Sequence, residues 1–236
     1  MALAHRIIPV LLCKGSNLVK GRQFDSARIV GNVYQAASIY QTRGVDELFV
    51  LDIGATPERR GPDVAAMRKL TQDCYMPVTV GGGITTVEQV RELLANGADK
   101  VAIGEGALVQ TGLIGQCAER FGSQAVVGIL NYHGYSADLL RQAICLEHSG
   151  AGEILLNCID RDGMMRGYDL ITIKLIANAT SIPVVPCGGA GKYLHMHHAL
   201  LAGASAVAAG AMFQWTEATP RGAAEYLSIK GWTVRQ

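Results

Sequence analysis

Two glycine-rich segments, Gly81-Gly82-Gly83 and Gly188-Gly189-Ala190-Gly191, each stand directly after a short apolar run and before an amphipathic stretch. Two more glycines, Gly104 and Gly210, follow the next apolar run in each case. Glycine there lets backbone N–H groups close on an anion, and a helix N-terminus adds partial positive charge, so each set can cradle a phosphate. The competing reading is that such turns need glycine for positive φ. Two glycine sites across neighbouring runs, present twice, favour phosphate. The second set continues as Gly210-Ala211 but the first as Gly104-Glu105. A carboxylate at that helix start repels a phosphate or caps the helix in its place, unless it faces solvent. The carboxylates Asp52, Asp160 and Asp162 also follow apolar runs, where they can move protons or bind metal. Asp160-Arg161-Asp162 carries its own counter-charge, which predicts a loop held by internal ion pairs rather than a bare carboxylate pair for a cation. His133 can titrate, although a lone loop histidine reads more simply as a polar surface side chain.

The elements that position these residues are written twice. Pro77-Val78-Thr79-Val80-Gly81-Gly82-Gly83 reappears as Pro183-Val184-Val185-Pro186-Cys187-Gly188-Gly189, and Val101-Ala102-Ile103-Gly104 as Val207-Ala208-Ala209-Gly210, at a constant offset of 106. A period this long marks a duplicated half of a closed structure rather than an open array. Apolar runs at 7–12, 48–51, 78–80, 100–103, 125–130, 154–156, 184–185 and 206–209 lack polar alternation, which predicts strands buried on both faces of a parallel sheet. Helices are expected over 32–43, 62–74, 86–96, 110–121, 136–149, 169–179, 192–202 and 218–229. Eight βα units predict an α/β chain folded as one (β/α)8 TIM barrel over residues 1–236, made of two half-barrels. In such a barrel the chemistry belongs to the C-terminal strand ends, where the glycines and carboxylates above stand.

Composition narrows the function. Hydrophobic residues make up 49% and the net charge is +1, with no apolar stretch of membrane-spanning length. No basic patch with interleaved aromatics invites nucleic acid. Lys14 and Ser16 interrupt the early apolar run, so no signal peptide is read and a cytoplasmic location is expected. The six cysteines include no C-x-x-C pair, so neither a zinc site nor a disulfide framework is indicated and no metal is expected.

The collinear segments R-I-I-P, V-K-G, D-E-L-F-V-L-D-I, T-V-G-G-G-I-T-T-V-E, G-A-D-K-V, F-G-S-Q-A-V-V, G-A-G-E-I-L-L, D-R-D-G, G-Y-D-L and C-G-G-A-G-K run from Arg6 to Lys192. Together they resemble the cyclase subunit of imidazole glycerol phosphate synthase. The resemblance implies a (β/α)8 barrel that pairs with a glutaminase, receives ammonia through its bore, and cleaves and cyclises a bis-phosphorylated ribonucleotide without a cofactor. It assigns substrate or phosphate contacts to Lys20, Asp162, Gly163, Gly188, Gly189, Gly210 and Ala211, with Gly82, Gly83 and Gly104 the counterparts in the first half. It also implies a ring of four charges gating ammonia at the opposite mouth, here Arg6, Glu47, Lys100 and Glu153, with Asp99 and Gln124 where the glutaminase docks. Barrel floors also carry ion pairs for stability alone.

The family's chemistry uses one aspartate ending the first strand and one ending the fifth. Here those positions are Leu12 and Asn131. Leucine carries no proton and an amide does not titrate near neutrality, so the acid and base of the cyclase are replaced. Only eighteen residues separate Asn131 from Gly150, where the family carries a longer excursion that closes over substrate. Altered top and retained gate resemble a side branch whose members work with a glutaminase and a separate amidotransferase to convert an N-acetyl sugar into an acetamidino sugar. Leu11-Leu12, Leu156 to Gly163 and Cys187 to Gly191 carry that likeness. Three functions follow as expectations: an ammonia-conducting subunit for amidation of a phosphorylated or nucleotide-linked substrate, an authentic cyclase using Asn131 or His133, and a non-catalytic phosphate-binding scaffold.

Overall fold

Every apolar run of the sequence becomes a strand, and the amphipathic stretch behind it becomes a helix packed on the outside. The computed structural model describes residues 4–104 and 112–235. The barrel strands are β1 (Arg6–Lys14), β4 (Leu48–Asp52), β5 (Val78–Gly81), β6 (Lys100–Ile103), β7 (Val126–Tyr132), β8 (Glu153–Cys158), β9 (Val184–Cys187) and β10 (Ala206–Ala209). An antiparallel hairpin, β2 (Asn17–Arg22) and β3 (Asp25–Asn32), extends from the end of β1. The helices are α1 (Val33–Thr42), α2 (Val64–Thr71), α3 (Val87–Ala95), α4 (Leu113–Phe121), α5 (Ala137–His148), α6 (Leu170–Ala179), α7 (Tyr193–Leu201), α8 (Ala211–Trp215) and α9 (Pro220–Ile229). Their starts are fixed by side chains that satisfy orphan N–H groups. Asn32 caps α1, Ser136 caps α5, Asp169 caps α6, and Thr86 with Gln89 forms a reciprocal capping box on α3.

Closure is visible at β1. Its first half, Arg6–Pro9, pairs in parallel with Ala206–Ala209 of β10, and its second half, Val10–Cys13, with Phe49–Asp52 of β4. From β4 the parallel order runs through β5, β6, β7 and β8 to β9. At the last seam the Ser205 N–H donates to the Val184 carbonyl at 3.0 Å. The same bond recurs in the first half as Asp99 N–H to Val78 O at 2.9 Å, and Leu48 N–H to Pro77 O is matched by Ile154 N–H to Pro183 O, both 2.9 Å. The sequence duplication is therefore a duplication of hydrogen bonds.

Strand alternation sorts the apolar side chains into two cores. Residues facing outward, such as Leu11, Val50, Val101, Ile154 and Val207, pack under the helices. Residues facing inward, Ile8, Val10, Phe49, Ala102, Val127, Leu155, Val185, Ala206 and Ala208, fill the barrel's axis. Phe49 is fully buried there, a side chain whose burial contributes about 1.5–3 kcal/mol.

The sequence predicts eight strands, and the structure adds the β2–β3 hairpin. Its turn residues Gln23 and Phe24 carry positive φ without glycine or asparagine, and β3 is exposed along most of its length, so neither turn chemistry nor burial pattern announces it. Glu105, and the first residues of the helix expected from 110, lie outside the described residues.

Gly82 and Gly188 show why the turns after β5 and β9 require glycine. Both have positive φ, and a Cβ would stand 2.3 Å from the Asp52 carbonyl at Gly82 and 2.5 Å from the Cys158 carbonyl at Gly188. The two clashes are related by the same offset of 106 positions, Asp52 to Cys158. Gly188→Ala is expected to destabilise the fold by about 3 kcal/mol or more, combining left-handed strain with overlap on backbone that cannot give way. Gly44→Ala, at φ +63 with nothing within 4 Å, is expected to cost only about 1–2 kcal/mol. Urea unfolding of the two variants checks the difference; equal costs would show that conformation alone, and not close approach, selects glycine after β9.

Candidate functional site

The N-terminal mouth of the barrel is closed by an ionic ring. Arg6, Glu47, Lys100 and Glu153 begin or immediately precede β1, β4, β6 and β8, and strand alternation turns all four toward the axis. Arg6 bonds to both Glu47 and Glu153, and Lys100 Nζ lies 3.0 Å from each of the same carboxylates. Thr79 on β5 donates its hydroxyl to Glu47 Oε1 at 2.8 Å. Each cation thus bridges both anions, and the layer is neutral. Glu47 and Glu153 are buried, while Arg6 and Lys100 keep 22% of their side chains exposed. Burial alone lowers the Arg6 pKa, but hydrogen bonds and charge from Glu153 and Glu47 outweigh it and raise the value overall. The structure therefore brings together all four residues that the sequence places in a gate. Thr79 escapes sequence reading because it sits in an otherwise apolar run; its parity, two residues before Gly81, is the only signal.

Asp99 and Gln124 lie exposed on this same side, just before β6 and β7. Asp99 also has a structural task, accepting the Val78 N–H at 2.8 Å through Oδ2.

At the C-terminal mouth, Leu12 of β1 joins Leu51, Ile129 and Cys187 in an apolar collar above the inner core. Asn131 is exposed at the end of β7 and accepts from Asn157 Nδ2 on β8 at 3.0 Å. Neither position holds a titratable group. Only four residues connect β7 to α5, and the longest excursion on this face is instead the β2–β3 hairpin.

The hairpin lies against the turn after β8. Gln23 N–H donates to the Asp162 carbonyl and Gln23 Nε2 to the Asp160 carbonyl, both at 2.9 Å. A Cβ on Gly163, whose φ is +69, would meet the Gly21 carbonyl at 2.4 Å. Lys20 and Asp162 form a buried ion pair at 2.9 Å. This corrects one expectation from sequence: Asp160-Arg161-Asp162 is not held by its own charges. Asp162 pairs with Lys20, Asp160 with His133 at 2.8 Å, and Arg161 Nη1 donates to the Gly167 carbonyl at 3.0 Å. The tight turn Ile159–Arg161 points the three side chains in different directions, and the hairpin supplies the counter-charge that sequence proximity suggested was internal.

Gly210 sits beside this pair, directly before Ala211 at the start of α8. A Cβ on Gly210 would lie 3.1 Å from the Val10 carbonyl and 3.5 Å from Lys20 Nζ. Gly189 is tight against Gly167, whose N–H donates to the Gly189 carbonyl at 2.7 Å. In the first half, Gly83 is equally tight against the Arg60 carbonyl, but Gly104 has φ outside the positive region and, among the described residues, its nearest neighbour to a Cβ is 3.7 Å away. Backbone geometry thus accounts for glycine at 82, 83, 188 and 189. The strand-end Asp52 is committed locally, accepting the Gly54 N–H at 2.9 Å and pairing with Arg60 at 2.8 Å. Among the described residues, no group of His, Cys, Asp and Glu gathers with the geometry of a metal site. No helix among them is long and apolar enough to cross a membrane.

Two thiols near this mouth are held protonated. Burial, with the charge of Asp52, pushes Cys13 up to about 12, and burial with the charge of Asp162 pushes Cys187 up to about 12. A folded-state value above the unfolded 9.0 means that the fold binds more protons over that range. The contribution of these thiols to stability is therefore intact below pH 9 and lost as pH rises toward about 12. At pH 8 iodoacetamide is expected to label the exposed Cys145 and to spare Cys13 and Cys187 until the chain unfolds, which peptide mass mapping reads directly.

Residues 6–219 match the family described as Histidine biosynthesis protein. The imidazole glycerol phosphate synthase subunit HisF of Chloroherpeton thalassium is 37% identical over 249 aligned positions that cover 99% of both chains. The proteins of the same name from Chlorobium luteolum and Chlorobium chlorochromatii are 38% and 37% identical with the same coverage. An alignment of 249 positions for a chain of 236 residues means that these relatives carry stretches this chain lacks. A duplicated barrel with an ionic floor, matched over residues 6–219 by this family and over nearly its whole length by these relatives, belongs to the histidine biosynthesis protein family.

Proposed function

We propose that this chain is the barrel subunit of a glutamine amidotransferase system, conducting ammonia from a partner glutaminase at the ionic mouth to an acceptor at the opposite one. The observation that carries the reading is the contrast between the two ends. The ring of Arg6, Glu47, Lys100 and Glu153 is complete, whereas Leu12 and Asn131 leave the other mouth without the acid and base of a cyclase. The bore between them is apolar, with alanines at 102, 206 and 208. Ammonia, small and neutral, crosses such a lining at little cost, while ammonium would have to shed its hydration. Asp99 and Gln124 border the docking face for the glutaminase. Gly82, Gly83, Gly104, Gly188, Gly189, Gly210 and Ala211, with Lys20, Asp162 and Gly163, line the face that takes a phosphorylated or nucleotide-linked acceptor. The side-branch likeness makes that acceptor an N-acetyl sugar, amidated with a separate amidotransferase.

The cyclase of histidine biosynthesis is the second reading, favoured by the names of the relatives. Isothermal titration against the glutaminase encoded beside this chain, followed by glutaminase assay, separates the two. Binding is expected, with activation that does not require the bis-phosphorylated ribonucleotide. Activation only in its presence, with formation of an imidazole product, would establish the cyclase instead; absence of binding would leave a phosphate-binding scaffold.

A further inference from the structure

β7 and β8 run side by side in parallel, with Asn131 level with Asn157 and Tyr132 level with Cys158. His133 follows directly on the last residue of β7, Tyr132, and is exposed at this mouth. The turn after β8 brings Asp160 to it, with Oδ1 2.8 Å from His133 Nδ1. A carboxylate only accepts hydrogen bonds, so Nδ1 carries the hydrogen and Nε2 of the neutral ring keeps its lone pair for another group. Asp160 is itself fixed, since its backbone carbonyl accepts from Gln23 of the hairpin. One rung below, Asn157 spends its amide N–H on Asn131, and its buried Oδ1 has no hydrogen-bond partner among the described residues.

We propose that His133 is the proton acceptor of this mouth and that Asp160 is its positioning residue. The proposal rests on the ammonia-delivery reading above and names the group that replaces the missing carboxylates. The lone pair of ammonia forms a bond to an electrophilic C=O or C=N carbon of the phosphorylated acceptor, and the π pair moves to the heteroatom. One N–H proton of the resulting cationic nitrogen passes to His133 Nε2, and the adduct then expels its former heteroatom, as water or ammonia, or as phosphate or AMP where ATP has first activated the oxygen. A hydrogen bond between two exposed side chains contributes only about 1 kcal/mol or less to stability, so folding gives little reason for the arrangement.

The test uses the full chain with its glutaminase and amide-15N glutamine, in two arms. One arm supplies the bis-phosphorylated ribonucleotide; the other supplies a nucleotide-linked N-acetyl sugar, ATP and the separate amidotransferase. In the arm that turns over, His133→Gln is expected to lower kcat for 15N incorporation by about 10²-fold or more, with KM for the acceptor nearly unchanged. Asp160→Asn is expected to lower kcat roughly tenfold, and in the long-range 1H–15N spectrum His133 should change from the Nδ1–H tautomer to a mixture. Incorporation by His133→Gln at the wild-type rate overturns the proposal, and so does incorporation in neither arm by a complex that forms. Failure of the glutaminase to bind overturns instead the reading on which the proposal rests.

Discussion

Glu47→Ala is expected to destabilise the barrel by about 3–5 kcal/mol, because it removes one of the two carboxylates that hold Arg6 and Lys100 together across the floor. The remaining carboxylate, Glu153, would then face two cations, and Thr79 would lose the acceptor for its hydroxyl. For a chain of this length such a loss lowers Tm by roughly 10 °C. Lys100→Met breaks the ring from the other side, leaving two buried carboxylates on Arg6 alone, and should cost a similar amount. The double variant Glu47→Leu/Lys100→Met should cost clearly less than the two single changes added together, since the groups act as one network. Urea unfolding of the four proteins measures this. Additive costs would show four independent side chains, and no ring. Variants kept folded by choice of temperature test the gate itself: in the complex with the glutaminase, ammonia should escape to an external trapping enzyme instead of reaching the acceptor.

The ring was legible through the family resemblance and not through the duplication: the offset of 106 relates Glu47 to Glu153, but carries Lys100 to Ala206 and Arg6 to Gly112. The strands themselves were legible for a simpler reason. Burial on both faces leaves runs such as Leu48–Leu51 and Val207–Ala209 with no polar residue to confuse them. What stayed hidden at the other mouth is non-local. Lys20 and Asp162 are far apart in the chain, and their contact depends on a hairpin whose turn at Gln23 and Phe24 has none of the usual residues. Local charge balance then suggested a self-paired Asp160-Arg161-Asp162, and the hairpin overrode it. His133 and Asp160 meet for the same kind of reason: two strand ends lie adjacent in the barrel although a whole helix, α5, separates them in sequence. Short-range patterns gave the scaffold, whereas the chemistry at its mouth depends on which loops cross it.

Lys20→Met is expected to cost about 3–5 kcal/mol, comparable with the gate, because it leaves the Asp162 carboxylate buried at 6% exposure without its cation. The hairpin would stay seated, since Gln23 still donates to the Asp160 and Asp162 carbonyls and Gly21 still packs on Gly163. Lys20→Met/Asp162→Leu should therefore recover most of the stability, as replacing a whole buried pair is often neutral. Cys187 supplies a reporter inside the barrel. Asp162 raises its thiol pKa and Lys20 lowers it, so Lys20→Met should push the thiol further up, and Asp162→Asn should bring it down. The pH dependence of thiolate absorbance, read with the other cysteines replaced, shows both shifts. Movement in one direction only would mean that packing, and not the ion pair, sets the field at this mouth. Opposite movements would mean that a phosphate approaching Gly210 meets a lysine already committed to Asp162, so that its binding is an exchange of anions on Lys20 rather than the filling of an open cationic site.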